Sequence, residues 1–391
     1  MIPSWKISPV QVLGLAALGV VMGGWLKRRV PLLDRLNIPV PILGGMVYAV
    51  ATLLLRDRVV NIDADTVLRD LLMIAFMTTI GLSARLQLLR EGGVGLFLFF
   101  GVATLGALLQ NVLGIGLAHV LGVDPRLGIL TGSVALAGGP ATALAFGGTF
   151  ENMGVAGATT VAFASATFGI TVAGLIGGYI GGWLIRRRGL KSQASAPAET
   201  VRKEAGHGSL LSTVVVMAIS MGAGSLVSAW FERMHVILPI YIGAMIVAAT
   251  IRNLDDRFGF ARVSQPEVDA LGRVALFLFI VMALVTLRLW ELAHLAVPML
   301  VMLAAQVAFC WAMCLTLVFW VMGRNYEAAV SSAGFCGFML GITANAVACM
   351  EELVEKYGPA PQAFLVVPIV GAFLIDFTNS LIITAMANWM R

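Results

Sequence analysis

Apolar runs long enough to cross a bilayer recur along this chain and limit the folds that it can adopt. A helix crosses about 30 Å of hydrocarbon with roughly 20 residues. Only 12% of the 391 residues are charged and 59% are hydrophobic, whereas soluble domains carry about 25% charged residues. The sequence therefore predicts an all-α polytopic membrane protein, with a retained first helix rather than a cleaved signal. We expect ten crossings, at residues 9–26, 38–55, 67–84, 94–121, 154–185, 209–231, 236–251, 272–287, 295–322 and 362–389.

A basic segment rich in serine and alanine, RRRGLKSQASAPAETVRKEAGHG (186–208), divides the ten runs into two sets of five. It lacks apolar periodicity, which is typical of a flexible linker. The sequence thus predicts an N-terminal half, 1–185, and a C-terminal half, 209–391, joined by a cytoplasmic linker. The net charge of +5 then reflects orientation in the membrane rather than binding to nucleic acid.

The distribution of lysine and arginine predicts this orientation, because cytoplasmic loops carry the excess of positive charge. With ten crossings and the linker inside, 18 of the 26 Lys and Arg residues lie on the cytoplasmic side, and both termini are periplasmic. This arrangement requires two further apolar stretches, 127–150 and 327–350, to enter the membrane and return on the same side. Each half then has an odd number of crossings, so the halves are predicted to be inverted relative to each other.

The stretch SVALAGGPATALAFGG (133–148) has the composition needed to turn back inside a membrane. It is apolar, yet Gly138-Gly139-Pro140 interrupts it, and glycine and proline break helices. FWVMGRNYEAAVSSAGFCGFMLG (319–341) resembles HVLGVDPRLGILTGSVALAGGP (119–140) in following a long apolar helix. We therefore predict two inverted five-helix repeats, each with a re-entrant hairpin loop, as in secondary transporters. The alternative is chance similarity among helices rich in glycine, alanine and leucine.

The tips of the two hairpins are candidate sites for an anion. Free backbone N–H groups at a helix N-terminus carry a partial positive charge, which suits a carboxylate. The alternative is that the glycines of the tips only permit close helix packing. The candidate substrate-binding residues are Gly138, Gly139, Pro140 and Thr142 in the first tip, and Gly341, Thr343 and Asn345 in the second.

A lone acidic residue lies in the last apolar run, within FLIDFTNSLIIT (373–384). A carboxylate in the middle of a membrane helix costs a few kcal/mol even on insertion scales, so Asp376 is predicted to be functional. Asn379 lies one turn further along the same face. Together these two residues can hold Na⁺ through oxygen ligands, or an ammonium group of the substrate through charge-assisted hydrogen bonds. A buried Asp–Arg pair is the alternative.

Amides and cysteines in the apolar runs also have structural interpretations. Gln110, Asn111 and Gln306 lie in corresponding helices, where amides bond across helices at least as often as they contact ligands. The cysteines match no zinc or redox spacing, and Cys310 and Cys314 share a helix face as two small hydrophobic residues would. Four scattered histidines suggest no metal cluster, and no nucleophile has an evident base. The sequence therefore predicts no enzyme and no cofactor. The four cysteines are Cys310, Cys314, Cys336 and Cys349.

With these residues identified, the chain resembles the bacterial sodium/glutamate symporter family over essentially its whole length. The resemblance is carried by NIPVPILGG (37–45), LLQNVLGIG (108–116), LGVDPRLGILTGS (121–133) and AFLVVPIVGAFLIDFTNSLII (363–383). It implies an inner-membrane importer of L-glutamate with Na⁺ as coupling ion, surrounded by membrane lipid. It also implies a homodimer and an elevator mechanism. Asp376, Asn379, Gln110 and Asn111 match the family pattern, and Asn111 is added to Asp376 and Asn379 as a candidate Na⁺ ligand.

Both tips depart from the family's pattern. The first loop of the family typically reads Gly-Gly-His-Gly-Thr, where this chain has Gly138-Gly139-Pro140-Ala141-Thr142. The second typically reads Gly-Phe-Gly-Leu-Gly-Ala-Thr-Pro, where this chain has GFMLGITA (337–344). Carriers of another small carboxylate, such as aspartate, citrate or a 2-hydroxy acid, therefore stay open as alternatives. A channel is a further alternative, which would need a continuous polar lining.

Overall fold

The computed structural model describes residues 4–35, 38–56, 58–87, 93–192, 209–234, 236, 238–292 and 295–390. Within these residues the chain is nearly all helical, and seven helices are long and apolar enough to cross a membrane. The prediction of a polytopic helical chain is confirmed at this level. Most of the predicted linker, residues 193–208, lies outside the described residues. The seven helices are Pro9–Arg29, Gly93–Val120, Ala158–Arg188, Leu210–Arg233, Gln265–Val285, Ala296–Val321 and Pro361–Trp389.

Each of the ten predicted apolar runs corresponds to a helical segment whose ends agree with it to within about two helical turns. The largest differences are at the polar ends of two helices, where charged residues continue the helix beyond the apolar run. The α-helices of five residues or more are α1 (Pro9–Arg29), α2 (Pro31–Arg35), α3 (Val40–Leu55), α4 (Val67–Ser83), α5 (Gly93–Val120), α6 (Pro125–Ile129), α7 (Gly139–Asn152), α8 (Ala158–Arg188), α9 (Leu210–Arg233), α10 (Ile240–Phe258), α11 (Gln265–Val285), α12 (Ala296–Met313), α13 (Tyr326–Met339), α14 (Thr343–Tyr357), α15 (Pro361–Ile369) and α16 (Ile375–Trp389).

Two short strands correct the expectation of an all-α chain. Strand β1 (Ser4–Ile7) pairs in parallel with β2 (Asn61–Ala64), in the register that sets Ser4 opposite Asn61. The strands pair because they cover an apolar cluster: Ile7 is buried in it, and Ile62 packs against it. Sequence analysis missed the pair because the two segments are far apart in the chain and only four residues long each.

The chain forms two compact units, and each unit takes segments from both predicted halves. Unit 1 comprises Met1–Ser83, Leu144–Thr160 and Gly206–Ala296. Close helix packing in unit 1 depends on glycine: a Cβ atom on Gly44 of α3 would collide with the backbone of Gly19 in α1, and one on Gly224 of α9 would collide with the backbone of Ala244 in α10. Small residues let membrane helices approach in this way.

Unit 2 comprises Ala84–Ala143, Val161–Ala205 and Val297–Arg391. Its core includes three buried phenylalanines, Phe99 of α5 and Phe335 and Phe338 of α13, whose rings meet edge to face at centroid distances of 5.6–6.1 Å. Such aromatic pairs add stability beyond their buried area. They hold α13 against α5, and this packing positions the residues that follow α13.

Unit 2 also contains three π-helical stretches, which interrupt otherwise regular helices. The first, Leu130–Val134, follows α6 and is kinked at Gly132, whose φ of −95° and ψ of −128° are not helical; the second, Cys314–Val318, extends α12; the third, Val370–Leu374, joins α15 to α16. Pro368 explains the third, because proline lacks the N–H that an α-helix needs at that position. Stretches of this kind are frequent at functional sites.

Candidate functional site

The helix break predicted at Gly138-Gly139-Pro140 is confirmed. After the first π-helical stretch the chain forms a turn over residues 135–138, and α7 begins at Gly139. Gly139 has a φ of +68°, a conformation that favours glycine. A Cβ atom on Gly138 would lie 2.6 Å from the Cβ of Thr142, so this position also excludes a side chain. Pro140 is the second residue of α7, where no intrahelical N–H bond is lost.

The second predicted tip is also a break between helices. Helix α13 ends at Met339 and α14 begins at Thr343, which leaves Leu340, Gly341 and Ile342 between them. A Cβ atom on Gly341 would lie 2.9 Å from the Gly337 carbonyl oxygen. Asn345 is fully buried, and its Nδ2 donates to the Ile170 carbonyl oxygen of α8 at 2.7 Å.

The two breaks meet each other within unit 2. A Cβ atom on Gly139 would lie 3.0 Å from Cγ2 of Ile342 and 3.5 Å from the carbonyl oxygen of Gly341. Helices α7 and α14 therefore begin close to one another. Each of the two helix N-termini carries a partial positive charge. The electrostatic fields of the two helix dipoles therefore add where the breaks touch.

Ser133 links three elements of unit 2. Its backbone N–H donates to Oδ1 of Asn111 in α5 at 2.9 Å, and its carbonyl oxygen accepts from Nδ2 of Asn379 in α16 at 2.9 Å. Asp376 lies one turn before Asn379, at the start of α16, and its side chain is partly buried. Among the described residues, the Asp376 carboxylate has no hydrogen-bond or ion-pair partner. Within the described part of the chain, the Asp376 carboxylate therefore has no compensating cation.

The two buried glutamines form the hydrogen bonds across helices that the structural interpretation predicts. Nε2 of Gln110 donates to the Met339 carbonyl oxygen at 2.9 Å, and Nε2 of Gln306 donates to the Gln110 carbonyl oxygen at 2.7 Å. Both side chains are fully buried. These bonds tie α5 to α12 and to the last residue of α13, directly before the second break.

Several buried polar atoms around the breaks lack a hydrogen-bond partner within the described part of the chain. Leaving a buried polar group unsatisfied costs about 1–3 kcal/mol, so native proteins normally complete it with water, an ion or a ligand. All but one of these atoms are oxygens, which need a donor or a cation. They are Oε1 of Gln110, Oγ of Ser133, Oε1 of Gln306, Oδ1 of Asn345 and Oδ1 of Asn379, together with Nδ2 of Asn111.

Sequence analysis missed the role of Ser133. It singled out Gly138, Gly139, Pro140 and Thr142, whereas the structure places Ser133 between Asn111 and Asn379. The available signal was its position, because Ser133 is a polar residue next to a predicted break in an apolar run. The contact itself joins residues that are far apart in the chain, and periodicity carries no information about such contacts.

Comparison with known proteins identifies the family. The profile described as "Sodium/glutamate symporter" matches residues 5–359. The chain is 39% identical to the sodium/glutamate symporter of Escherichia coli (strain K12) over 391 residues, which cover 97% of each chain. It is 35% identical to that of Haemophilus influenzae over 393 residues, covering 96% of each.

The chain belongs to the sodium/glutamate symporter family. The predicted resemblance is thereby confirmed, and the chain is a membrane protein of a transporter family. Among solved structures it is similar to a sodium proton antiporter from Methanocaldococcus jannaschii, with a TM-score of 0.42 and 14% identity over 97% of this chain and 98% of that one.

The matched range of the sodium/glutamate symporter profile includes both helix breaks and the Gln110–Asn111 pair. It ends at residue 359, before α15 and α16. The placement of Asn379 beside the first break therefore rests on its 2.9 Å hydrogen bond to Ser133 rather than on the profile.

Proposed function

We propose that this family member imports L-glutamate across the bacterial inner membrane by symport with Na⁺. The names of its curated relatives, sodium/glutamate symporters, support this assignment. The observation that carries it is the set of unsatisfied side-chain oxygens around two helix breaks that touch each other. Oxygens without donors suit a cation, and helix N-termini suit an anion, so one site can take both solutes.

The substrate carboxylates bind at the N-termini of α7 and α14 in this proposal. Gly138, Gly139 and Pro140 begin α7, and Gly341 precedes α14, so backbone atoms approach the ligand without side chains in between. Free N–H groups of the first helical turn donate to a carboxylate oxygen. Thr142, Thr343 and Asn345 lie in the first turns of the two helices and complete the set of substrate-binding residues.

Na⁺ binds between α16 and the first break. Asp376 supplies a carboxylate with no partner among the described residues, and Asn379 supplies Oδ1, which is unsatisfied. Asn111 accepts the Ser133 N–H with one lone pair of Oδ1 and keeps a second for the ion. Either Asp376 or Asn379 can instead receive the α-ammonium group of glutamate. Oxygen ligands of this kind are those that hard cations prefer.

The membrane arrangement that we propose has two inverted five-helix repeats, 1–185 and 209–391, with both termini periplasmic and the linker 186–208 cytoplasmic. The stretches 127–150 and 327–350 are re-entrant hairpins in it, because each contains a helix break. All the candidate site residues lie in unit 2. This supports an elevator mechanism in which unit 2 carries the site, within a homodimer embedded in lipid.

Uptake by proteoliposomes tests the proposal. Purified protein is reconstituted, and a Na⁺ gradient and a H⁺ gradient are imposed separately while labelled L-glutamate uptake is measured. We expect an inward Na⁺ gradient to drive accumulation and a H⁺ gradient alone to drive none. Unlabelled aspartate, citrate and a 2-hydroxy acid serve as competitors. Accumulation driven equally well without Na⁺, or stronger competition by citrate than by glutamate, would contradict the proposal.

A further inference from the structure

Three of the four cysteines form a cluster in unit 2. Cys310 of α12, Cys314 at the start of the second π-helical stretch and Cys336 of α13 have Sγ atoms that all lie within 4.8 Å of one another. Their side chains are buried, with exposed fractions of 1%, 0% and 0%. Sequence analysis treated Cys310 and Cys314 as two small hydrophobic residues. It missed the cluster because the third thiol comes from the next helix.

The packing of α12 against α13 positions the three thiols. Cys310 and Cys314 are four residues apart and therefore point to one side of the helix. Sγ of Cys314 donates to the carbonyl oxygen of Ser332, 3.4 Å away and one turn before Cys336. This hydrogen bond joins the end of α12 to α13 at a point one helical turn from Cys336. The Cys336 thiol therefore lies close to the other two thiols.

We propose that this cluster is a binding site for a soft monovalent metal ion, with Cu(I) as the chemical type. Sulfur ligands select soft ions such as Cu(I) over hard ones. Three sulfur atoms placed about 2.3 Å from one metal ion in a plane are about 4 Å apart, which is within the observed limit of 4.8 Å. The sulfur atoms therefore need little movement to coordinate one ion together.

The number of ligands favours Cu(I) over zinc. Structural zinc sites are tetrahedral and use four protein ligands, whereas among the described residues this group contains three thiols and no fourth Cys, His, Asp or Glu. Three-coordinate sulfur sites are ordinary for Cu(I). Na⁺ prefers oxygen, so the thiol cluster does not compete for the coupling ion.

Binding of Cu(I) is coupled to the release of protons. Because the thiolate and not the thiol is the metal ligand, the three thiols lose their protons to solvent when Cu(I) binds, and three copper–thiolate bonds form. The oxidation states of copper and sulfur do not change, so no redox step is needed.

Metal binding tests this inference directly and does not depend on transport. Purified full-length protein in detergent is loaded with Cu(I) in the absence of oxygen. It is then dialysed against a series of chelators of increasing affinity for Cu(I). We expect one Cu(I) per chain, with an X-ray absorption spectrum showing sulfur ligands only at about 2.2–2.3 Å. Cys310→Ala and Cys336→Ala are expected to weaken retention by at least about 100-fold, because each removes a ligand.

Cys349→Ala is the matched control. Cys349 is also buried in unit 2, on α14, but it lies outside the cluster, and its Sγ contacts the Ala173 carbonyl oxygen at 3.6 Å. This variant is expected to retain Cu(I) as the wild type does. The inference is overturned if the wild type holds no Cu(I), if its spectrum shows nitrogen or oxygen ligands, or if Cys349→Ala loses as much as the other variants. The wild-type spectrum decides the matter even where a variant fails to fold.

Discussion

Four buried carboxamide side chains in unit 2 share one arrangement. In each, the side-chain nitrogen donates a hydrogen bond, and the side-chain oxygen has no partner among the described residues. The side chains of Gln110, Gln306, Asn345 and Asn379 each donate to a backbone carbonyl oxygen at 2.7–2.9 Å. A carbonyl oxygen cannot donate, so turning any of these amides over would set oxygen against oxygen. The unsatisfied oxygens are therefore fixed in place by the fold, and those of Asn345 and Asn379 belong to the proposed site.

Asn379→Ala is expected to reduce both glutamate and Na⁺ affinity. It removes one candidate ion ligand and leaves the Ser133 carbonyl oxygen without its donor, which together cost about 1–3 kcal/mol, or roughly fivefold to 150-fold in affinity. Binding of labelled glutamate to purified protein measures the effect. Asn388→Ala is the control, because Asn388 lies further along the same helix and its Nδ2 donates to the Thr384 carbonyl oxygen within that helix. If Asn379→Ala and Asn388→Ala lose glutamate affinity equally, Asn379 is not part of the binding site.

Asp376→Asn is expected to fold and insert but to lose Na⁺-driven uptake. The substitution keeps the size of the side chain and removes the charge that the ion would neutralise. Because an uncharged amide is easier to place in an apolar helix than a carboxylate, the melting temperature in detergent is expected to stay the same or rise. Proteoliposome uptake measures the loss of Na⁺-driven transport, and a thermal melt separately measures the stability of the variant. Uptake at the wild-type rate would rule out a role for Asp376 in coupling.

Gly139→Ala tests the contact between the two breaks. A left-handed conformation costs a residue with a side chain about 1–2 kcal/mol, and the new methyl group would press on Ile342. We expect a lower melting temperature and weaker glutamate binding. Gly148→Ala on the same helix α7 is the control, because nothing lies within 4 Å of its added Cβ; it is expected to be neutral or to stabilise by about 0.5–1 kcal/mol. Unchanged glutamate binding in Gly139→Ala would show that this contact does not shape the site.

At the scale of helices, the sequence alone predicted the features that depend only on residues close together in the chain. Apolar length placed the ten helical segments, and Gly138-Gly139-Pro140 located a break, because these residues act through their own backbone conformation. Strands β1 and β2 could not be predicted, since four-residue strands form only through pairing across the chain. The end of α10 was missed for a related reason: Arg252 and Asp256 pair with each other along this helix, which lets it continue beyond its apolar run.

The candidate site was predictable as a set of residues but not as a set of contacts. Asp376 and Asn379 stood out because polar residues are costly in an apolar helix. Their neighbours did not, because Ser133 and Cys336 acquire a role only when distant helices pack together. The thiol cluster is the clearest case, since two of its members share a helix face and the third is visible only in the fold.

Accessibility labelling tests the re-entrant interpretation of 127–150. Single cysteines are introduced by Val120→Cys at the end of α5 and Asn152→Cys at the end of α7, both exposed positions. The four native cysteines are buried and give little background. We expect a membrane-impermeant reagent to label both from the periplasmic side. Lys191→Cys, within the predicted cytoplasmic linker 186–208, is the control and is expected to be protected. If Val120→Cys and Asn152→Cys are labelled from opposite sides, the stretch crosses the membrane and the inverted repeats fail with it.

For the whole molecule, the candidate site lies within one of the two compact units, as the proposed elevator mechanism requires. All the candidate substrate and ion residues belong to unit 2, although they come from both predicted halves of the sequence. In the proposed elevator mechanism, a site contained in unit 2 would let Na⁺ and glutamate remain bound together during the transport step. The account requires that Na⁺ and glutamate stabilise each other at this site.

Reciprocal linkage between the two solutes tests that requirement most directly. L-glutamate affinity is measured on purified protein in Na⁺ and in Na⁺-free K⁺ buffer, and Na⁺ affinity is measured with and without glutamate. We predict that each solute raises the affinity of the other by the same factor, about 5–150-fold, and that Asn379→Ala reduces this factor. Glutamate binding of equal strength in Na⁺-free buffer would contradict the account.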